Sequence, residues 1–169
     1  IIYAIHGQPI DCRDVDLAVV FAESPPTFSG MVVTRFLPGL TVPVCAPHFG
    51  QPATPAEMLA AGLLHDTDAG GWRAWFDAVG VPEANVAGGP VFEDFNLLRA
   101  AALAGQGVAL CPLAIVADDI GAGRLVQLSD TAIRAEFGYY IAAPADSAEQ
   151  RAPAIEAFRA WLLSTAHGP

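Results

Sequence analysis

The sequence predicts an α/β protein folded as two lobes. Three observations predict it. The stretch from Gly88 to Pro112, GGPVFEDFNLLRAAALAGQGVALCP, has the pattern of a strand, a helix and a second strand. The 169 residues are 53% hydrophobic and only 15% charged, which is typical of a chain with a large buried core. Two extended stretches, LTVPVCAP from Leu40 and YYIAAP from Tyr139, enclose a self-contained middle block.

The first third of the chain contains several strand patterns. Ile1 to Ile5 reads as a strand, and Val15 to Phe21 is a continuous apolar run rich in valine. Met31 to Leu37 is another candidate strand. Because proline interrupts LTVPVCAP twice, we expect an edge or connecting strand that crosses between the lobes.

The middle block opens with a helix signal at Thr54, where Thr-Pro-Ala-Glu forms a capping box with proline at the first helical position. That helix should end at Gly62, and Leu63 to His65 should form a short strand. The next helix, Trp72 to Val79, carries its large apolar residues three and four apart, which favours the core over a stacking platform.

The central unit follows. After a strand at Pro90 to Phe92, Asp94 or Asn96 can cap a helix that begins at Phe95 and ends before Gly105. A buried strand, Val108 to Cys111, comes next, and this order requires a crossover between parallel strands. The helix should therefore begin at the carboxyl end of a strand, where open α/β sheets bind ligands. An ordinary strand–helix–strand unit without a ligand remains the alternative.

The last third should contain a helix over Leu113 to Ile120 and strands over Arg124 to Leu128 and Phe137 to Ala142. Ser147 and Gln150 can form a second capping box. In the final helix, we expect the buried line to consist of Ile155, Phe158 and Leu162.

Charge and motifs exclude several functions. The net charge of −10 disfavours nucleic-acid binding by this chain itself. Cys12, Cys45 and Cys111 are an odd, widely spaced set that fits reduced thiols. The sequence contains neither G-x-S-x-G nor H-E-x-x-H, and its histidines lack metal-ligand spacing. We therefore predict no enzyme activity, no metal site and no cofactor. Apolar runs are too short to span a membrane.

Six stretches follow one another along the chain: VDLAVVF, PGLTVPVCAPHF, LLHDTDAGGWRAWFDAVGV, the long central stretch through GRLVQL, FGYYIAAP and EAFRAWLL. In this order they resemble the effector-binding domains of LysR-type transcriptional regulators. The glycine-cleavage and β-lactamase regulators are the most similar subgroup. The resemblance implies a fold like that of type 2 periplasmic binding proteins, each lobe a mostly parallel sheet flanked by helices.

Within that fold, lobe I would be residues 1–43 with 143–169, and lobe II would be residues 44–142. The family's winged helix-turn-helix is absent from this sequence, and we expect the first strand and helix of lobe I to be missing as well.

The resemblance also implies a small-molecule effector in the cleft between the lobes. The residues that it assigns to this site are Phe21, Asp66, Thr67, Asp94, Phe95, Asn96 and Tyr140. Serine or threonine is common at the start of the central helix in this family, whereas this chain has Asp94 and Phe95. An acid there disfavours a carboxylate ligand unless a cation such as Arg35 compensates for its charge. Asp94 as a plain helix cap and Tyr140 as a packed core residue remain the alternatives.

The resemblance therefore implies the sensor domain of a cytoplasmic regulator that forms a homodimer or homotetramer and reaches DNA only through a domain outside this sequence. The apolar sides of the Phe95–Ala104 helix are a candidate subunit contact. A solute-binding domain of a transport system is the alternative function.

Overall fold

The computed structural model describes residues 15–145 and 153–165. The described strands are β1 Ala18–Ala22, β2 Met31–Pro38, β3 Thr41–Cys45, β4 Leu63–Asp66, β5 Val91–Phe92, β6 Val108–Pro112, β7 Val126–Gln127 and β8 Gly138–Pro144. The α-helices are α1 Pro55–Ala61, α2 Gly70–Ala78, α3 Phe95–Leu103, α4 Leu113–Gly121 and α5 Pro153–Thr165. The predicted strand at Ile1–Ile5, the Ser147–Gln150 capping box and Cys12 lie outside the described residues.

The chain divides into two compact units. Unit 1 comprises Ile1–Pro38 and Phe137–Pro169, and unit 2 comprises Gly39–Glu136. Both boundaries fall a few residues earlier than the predicted lobe boundaries, because all of β3 pairs within the sheet of unit 2 and all of β8 pairs within the sheet of unit 1.

Unit 2 is built on a five-stranded mixed sheet in the order β5-β4-β6-β3-β7. Strand β4 is parallel to both β5 and β6, whereas β3 is antiparallel to β6 and β7. The predicted strand–helix–strand unit is present as β5-α3-β6, with β4 lying between its two strands. The predicted capping box of α1 is also present, since Thr54 Oγ1 accepts the Glu57 N–H and the Glu57 carboxylate accepts the Thr54 N–H.

Unit 2 contains two apolar clusters, and adjacent residues of β4 belong to different clusters. Leu64 packs with residues of α3 and α4, including Leu98, Ala102 and Val116. Leu63, one position earlier, packs with residues that include Met58, Trp72, Trp75 and Phe76. Successive side chains of a strand point to opposite faces, so this sheet is covered on both sides. The aromatic residues of α2 are core residues, as predicted, with Trp72 and Trp75 each only 1% exposed.

The prediction that the LTVPVCAP stretch, which contains β3, forms an edge or connecting strand was wrong. Strand β3 is an inner strand with every residue buried, rather than an edge or connecting strand. Pro43 is tolerated because its carbonyl oxygen accepts the N–H of Leu128, just beyond the short β7. The nitrogen of Pro43 points to that same side, so its missing N–H removes no hydrogen bond to β6.

The described sheet of unit 1 is three-stranded, in the order β1-β8-β2. Strand β8 is antiparallel to both neighbours, so the expectation of a mostly parallel sheet is wrong for these strands. The predicted α/β class is confirmed, because parallel strands joined through helices are present in unit 2.

Helix α5 departs from its predicted burial pattern. Ile155 and Leu162 are partly buried, but Phe158 is 48% exposed. Its ring stacks instead on Trp161, with 5.6 Å between the ring centroids. Helical spacing correctly places these side chains on neighbouring positions, but the spacing does not determine what covers them.

Candidate functional site

The carboxyl ends of β4 and β5 form one edge of the sheet in unit 2, and we call this edge the β4–β5 edge. Asp66 lies directly opposite Phe92 in the parallel pairing. The N–H of Thr67 then donates to the Phe92 carbonyl over 2.9 Å. Because α3 begins just after β5, the pairing places two groups of predicted site residues at one edge: Asp66 and Thr67, and the start of α3.

Thr67 has an unusual backbone conformation. Its φ is +67°, in the left-handed region that β-branched residues avoid. The N–H of Asp68 donates over 2.7 Å to the carbonyl of Asp66, which closes a tight γ-type turn around Thr67. Strain of this kind is concentrated at functional sites. The resemblance predicted Thr67 as a site residue, but the sequence gave no sign of this conformation.

Asp94 is the N-cap of α3, as predicted. Its Oδ1 accepts the N–H of Asn96 over 2.7 Å and that of Leu97 over 3.3 Å. Asp94 itself is exposed, as is Asn96. Phe95 is partly buried against the apolar cluster that contains Leu98. The start of α3 therefore presents Asp94 and Asn96 to solvent, while the Phe95 ring anchors it.

Sequence reasoning missed two residues at the β4–β5 edge. Asp68 Oδ1 accepts the N–H of Gly70, the first residue of α2, over 2.6 Å. The guanidinium of Arg134 lies 3.5 Å from the position that a Cβ would occupy at Gly71. The D-x-G pattern ahead of α2 could have identified Asp68. Arg134 is distant in sequence, so only the fold could locate it.

The two predicted site residues of unit 1 lie on different faces of its sheet. Phe21 is opposite Tyr139, whereas Tyr140 is opposite Val20 and Arg35. Phe21 stacks on Phe137 with 5.2 Å between the ring centroids, and Tyr140 is buried, with 2% exposed. Arg35 donates to the Phe137 carbonyl over 2.7 Å. The sheet thus does not bring the Phe21 and Tyr140 side chains together.

A cluster of charged residues around the buried Asp119 connects α3 to α4. Asp119 of α4 is fully buried and accepts hydrogen bonds from Arg99 over 2.6 Å and from Arg124 over 2.6 Å. Burial by itself raises the pKa of Asp119, but these hydrogen bonds and the two positive charges outweigh burial and lower the pKa below its ordinary value. We call this set the Asp119 cluster. It ties α3 to α4 and to the turn after it.

Three other candidate groups are inert or structural. Nε2 of the buried His65 must donate to the carbonyl of Gly88 at 2.8 Å, since a carbonyl only accepts; within the described chain its Nδ1 has no partner. Burial, aided by the charge of Asp66, raises the pKa of the Cys111 thiol to about 12, and burial also raises the pKa of Cys45. Both thiols therefore stay protonated near neutral pH, which disfavours thiolate chemistry.

A shallow cavity of about 360 Å³ lies elsewhere in unit 2, beside residues that include Phe49, Gln51, Pro52 and Glu57. None of the predicted site residues lines it. Over residues 15–145 and 153–165, no three His, Cys, Asp or Glu side chains are grouped so that they could hold a metal ion. The helices in this described part are all too short or too polar to cross a membrane.

Comparisons with known proteins agree on one family. The family model described as the LysR substrate binding domain matches residues 8–166. The glycine cleavage system transcriptional activator of Escherichia coli (strain K12) is 31% identical over 157 residues, which are 90% of this chain and 50% of that protein. The HTH-type transcriptional activator AmpR of Rhodobacter capsulatus is 34% identical over 121 residues, or 71% of this chain and 40% of that relative.

Solved structures show the same fold. The AmpR effector binding domain from Citrobacter freundii has a TM-score of 0.74 at 25% identity, covering 97% of this chain and 82% of that chain. The regulatory domain of CrgA, a LysR-type transcriptional regulator from Neisseria meningitidis, has a TM-score of 0.63 at 21% identity, covering 90% and 76%. This chain spans about half the length of the E. coli relative.

Proposed function

Since the chain belongs to the family of LysR substrate-binding domains, we propose that it is the part of a transcriptional regulator that senses a small-molecule effector. The match over residues 8–166 is the observation that carries this proposal. The relatives described above are transcriptional regulators, which favours sensing over catalysis and over the solute-binding alternative. A regulator of this kind acts where the DNA is, so we propose a cytoplasmic protein.

The grouping of predicted site residues at the β4–β5 edge supports our proposal that the effector binds there. Asp66, Thr67, Asp94, Phe95 and Asn96 come from separate segments of the sequence and lie together at the carboxyl ends of adjacent parallel strands. This is the general ligand position of open α/β sheets. The strained backbone of Thr67 also supports this binding position. A substitution such as glycine would remove the strain, so its retention favours a functional role.

Phe21 and Tyr140 are proposed as effector contacts from the resemblance alone. Since they occupy opposite faces of the unit 1 sheet, a ligand lying on one face contacts one of the two side chains. Phe21→Ala and Tyr140→Phe are therefore alternatives, and we expect only one of them to weaken effector binding.

The proposed mechanism is a shift in population. The effector binds one conformation of the regulator more tightly than another, and this difference in affinity moves the equilibrium. DNA contact is proposed to lie in another domain of the full-length protein, because this chain carries a net charge of −10.

We also propose that copies of this domain pair, giving the homodimer or homotetramer. Strand β5 is an edge strand of its sheet, and Val91 within it is 56% exposed. On the adjoining α3, Leu97 is 60% exposed. An edge strand beside exposed apolar residues is a surface that proteins commonly cover by association.

Sedimentation of the full-length protein tests this pairing. Leu97→Glu places a charge on the proposed contact and should shift the protein towards smaller species, whereas Val81→Glu, at an exposed residue elsewhere in unit 2, should not. Unchanged sedimentation of Leu97→Glu would contradict the proposed contact.

The sensing proposal is tested by thermal unfolding of the full-length protein with amino acids, muropeptide fragments and small aromatic acids. A ligand present at 100 times its dissociation constant adds about 2.7 kcal/mol of stability. Thr67→Gly removes a side chain of the proposed site and should therefore abolish this stabilisation. It should leave the ligand-free protein folded, because glycine relieves the left-handed conformation.

Gln51→Gly is the matched control. Gln51 also has positive φ, +45°, but it lies beside the shallow cavity rather than at the β4–β5 edge. Loss of ligand stabilisation in Gln51→Gly and not in Thr67→Gly would move the site away from the edge and contradict the proposal.

A further inference from the structure

Strand β5 is short and lies at the edge of the unit 2 sheet. It consists of Val91 and Phe92, and among the described strands it pairs with β4 alone. The N–H of His65 donates to the carbonyl of Pro90. The N–H of Thr67 donates to the carbonyl of Phe92. Because so short a strand gains little from backbone pairing, we expect side-chain contacts to contribute to its position.

The side chain of His65 makes such a contact. Its Nε2–H donates over 2.8 Å to the carbonyl of Gly88, which lies just ahead of β5. The next residue, Gly89, has a φ of +118°, and a Cβ at this position would clash with the carbonyl of Leu63. The turn at Gly88 and Gly89 therefore lies directly against β4, where the imidazole binds its backbone.

The other imidazole nitrogen carries a cost that an apolar side chain would avoid. His65 is 1% exposed, and within residues 15–145 and 153–165 its Nδ1 has no partner. A buried polar atom without a partner lowers stability. Leu63, two positions earlier in β4, points to the same face and packs with the aromatic residues of α2. An apolar residue would suit this face, so the hydrogen bond to Gly88 is what explains the imidazole.

Strand β5 leads directly into the surface on which we propose that two copies pair. The exposed apolar residues of this surface are Val91 in β5 and Leu97 in α3. Helix α3 begins at Phe95, three positions after the end of β5. A displacement of the turn at Gly88 would therefore move Val91 and the start of α3. Association is sensitive to such a displacement, because the centre of a protein interface is packed as closely as a protein interior.

From this arrangement we infer that His65 is a positioning residue: by holding the carbonyl of Gly88, it fixes β5 where a second copy of this chain can bind the surface formed by Val91 and Leu97. This inference rests on the proposed pairing and names a residue on which the pairing depends. Since His65 is buried, it acts through β5 and contacts no partner itself.

Sedimentation of the full-length protein over a range of concentrations tests the inference. His65→Met removes the N–H donor and keeps a side chain of similar size. The dissociation constant of the pair should rise about tenfold, as expected when a buried carbonyl loses its hydrogen bond. His65→Gln places an amide N–H donor near the position of Nε2 and should restore most of the association.

Two controls separate positioning from a general loss of stability. Leu63→Val removes buried apolar volume from the same strand and spares the bond to Gly88. It should lower the thermal unfolding temperature and leave the dissociation constant unchanged. His48→Met makes the same substitution at an exposed histidine of unit 2 and should change neither quantity.

Amide hydrogen exchange tests the position of β5 without relying on association. The measurement uses the Leu97→Glu protein, in which copies should be separate, with and without His65→Met. The N–H of Thr67, which is bonded to Phe92 of β5, should exchange faster in the double variant. The N–H of Val108 in β6, which is bonded to the carbonyl of Gly62, should not.

Three results would overturn the inference: unchanged exchange at Thr67, failure of His65→Gln to restore association, or Leu63→Val weakening association as much as His65→Met does. If Leu97→Glu shifts sedimentation and His65→Met does not, the pairing stands and only this inference is removed. If neither variant shifts it, the proposed pairing is wrong, and the dependence of pairing on His65 is removed with it.

Discussion

Helix α3 interacts with a carboxylate at two places, and the two carboxylates differ in how deeply they are buried. At its start, Asp94 is exposed and accepts hydrogen bonds from backbone N–H groups of the same helix. Along its side, Arg99 reaches Asp119 of α4, which is fully buried and shared with Arg124. One carboxylate can still meet a ligand, whereas the other is closed off by the chain.

The difference shows how burial separates a structural charge from a functional one. Breaking a buried ion pair by removing either the carboxylate or its cationic partner causes a large loss of stability. An exposed cap contributes little to stability, since water can replace it, but its charge governs which groups can approach. Stability and ligand preference should therefore respond separately to substitutions at the two positions.

The largest effect is expected for Asp119→Ala. Removing this carboxylate breaks its hydrogen bonds to Arg99 and Arg124 and leaves a space in the core. Because these two side chains are 34% and 54% exposed and still reach water, we expect a loss of about 2 kcal/mol in the free energy of unfolding. The neighbouring Asp118 is exposed, so Asp118→Ala serves as the control and should change stability little. Urea unfolding of the three proteins measures both. Equal stability of the two variants would contradict the structural role of the Asp119 cluster.

The pH dependence of the Asp119 contribution gives a second test. Since the pKa of Asp119 is lowered in the folded protein, its stabilisation is present above the pKa of an unfolded aspartate, about 3.9, and is lost as the pH falls through the lower folded value. The difference in unfolding free energy between the wild type and Asp119→Asn should therefore narrow only in acid. A difference that widens as the pH falls below 4 would show that the sign is wrong.

A smaller effect is expected at Asp94. Asp94→Ala removes the acceptor for two N–H groups and should cost about 1 kcal/mol, whereas Asp94→Ser keeps a cap and should cost only a few tenths. Thermal unfolding of the two variants measures these changes. If Asp94→Ala destabilised the protein as much as Asp119→Ala, the contrast between the two positions would disappear.

Much of unit 2 could be predicted from local patterns. The apolar spacing of α2 and α3, the Thr54–Glu57 capping box and the Asp94 cap depend on residues a few positions apart, where steric and hydrogen-bonding preferences act directly. The continuous apolar run at β6 correctly indicated a strand buried on both faces. These features are local, so a single sequence contains them.

The failures all concern partners that are distant in sequence. Pro43 indicated an edge strand, but its nitrogen faces the side of the short β7 and not β6, so proline costs no hydrogen bond between β3 and β6. Phe158 was placed in the core, yet only packing determines what covers a helix face. Asp119 drew no attention because its burial depends on how α4 packs, and Arg99, one of its two partners, lies 20 residues away.

The same reason limits the prediction of the site. Asp94 and Asp66 were predicted as site residues by resemblance, and their position at one edge follows from the parallel pairing of β4 with β5. The strain at Thr67 and the position of Arg134 beside α2 arise from the folded backbone, and no pattern of residue types encodes them.

The most direct test of the central claim is amide hydrogen exchange of the full-length protein, with and without a compound that stabilises it. The account predicts that, within unit 2, the strongest new protection falls on residues 66–68 and 95–98, at the β4–β5 edge. Protection confined to residues 49–53 beside the shallow cavity, or to neither segment, would contradict the claim that this edge binds the effector.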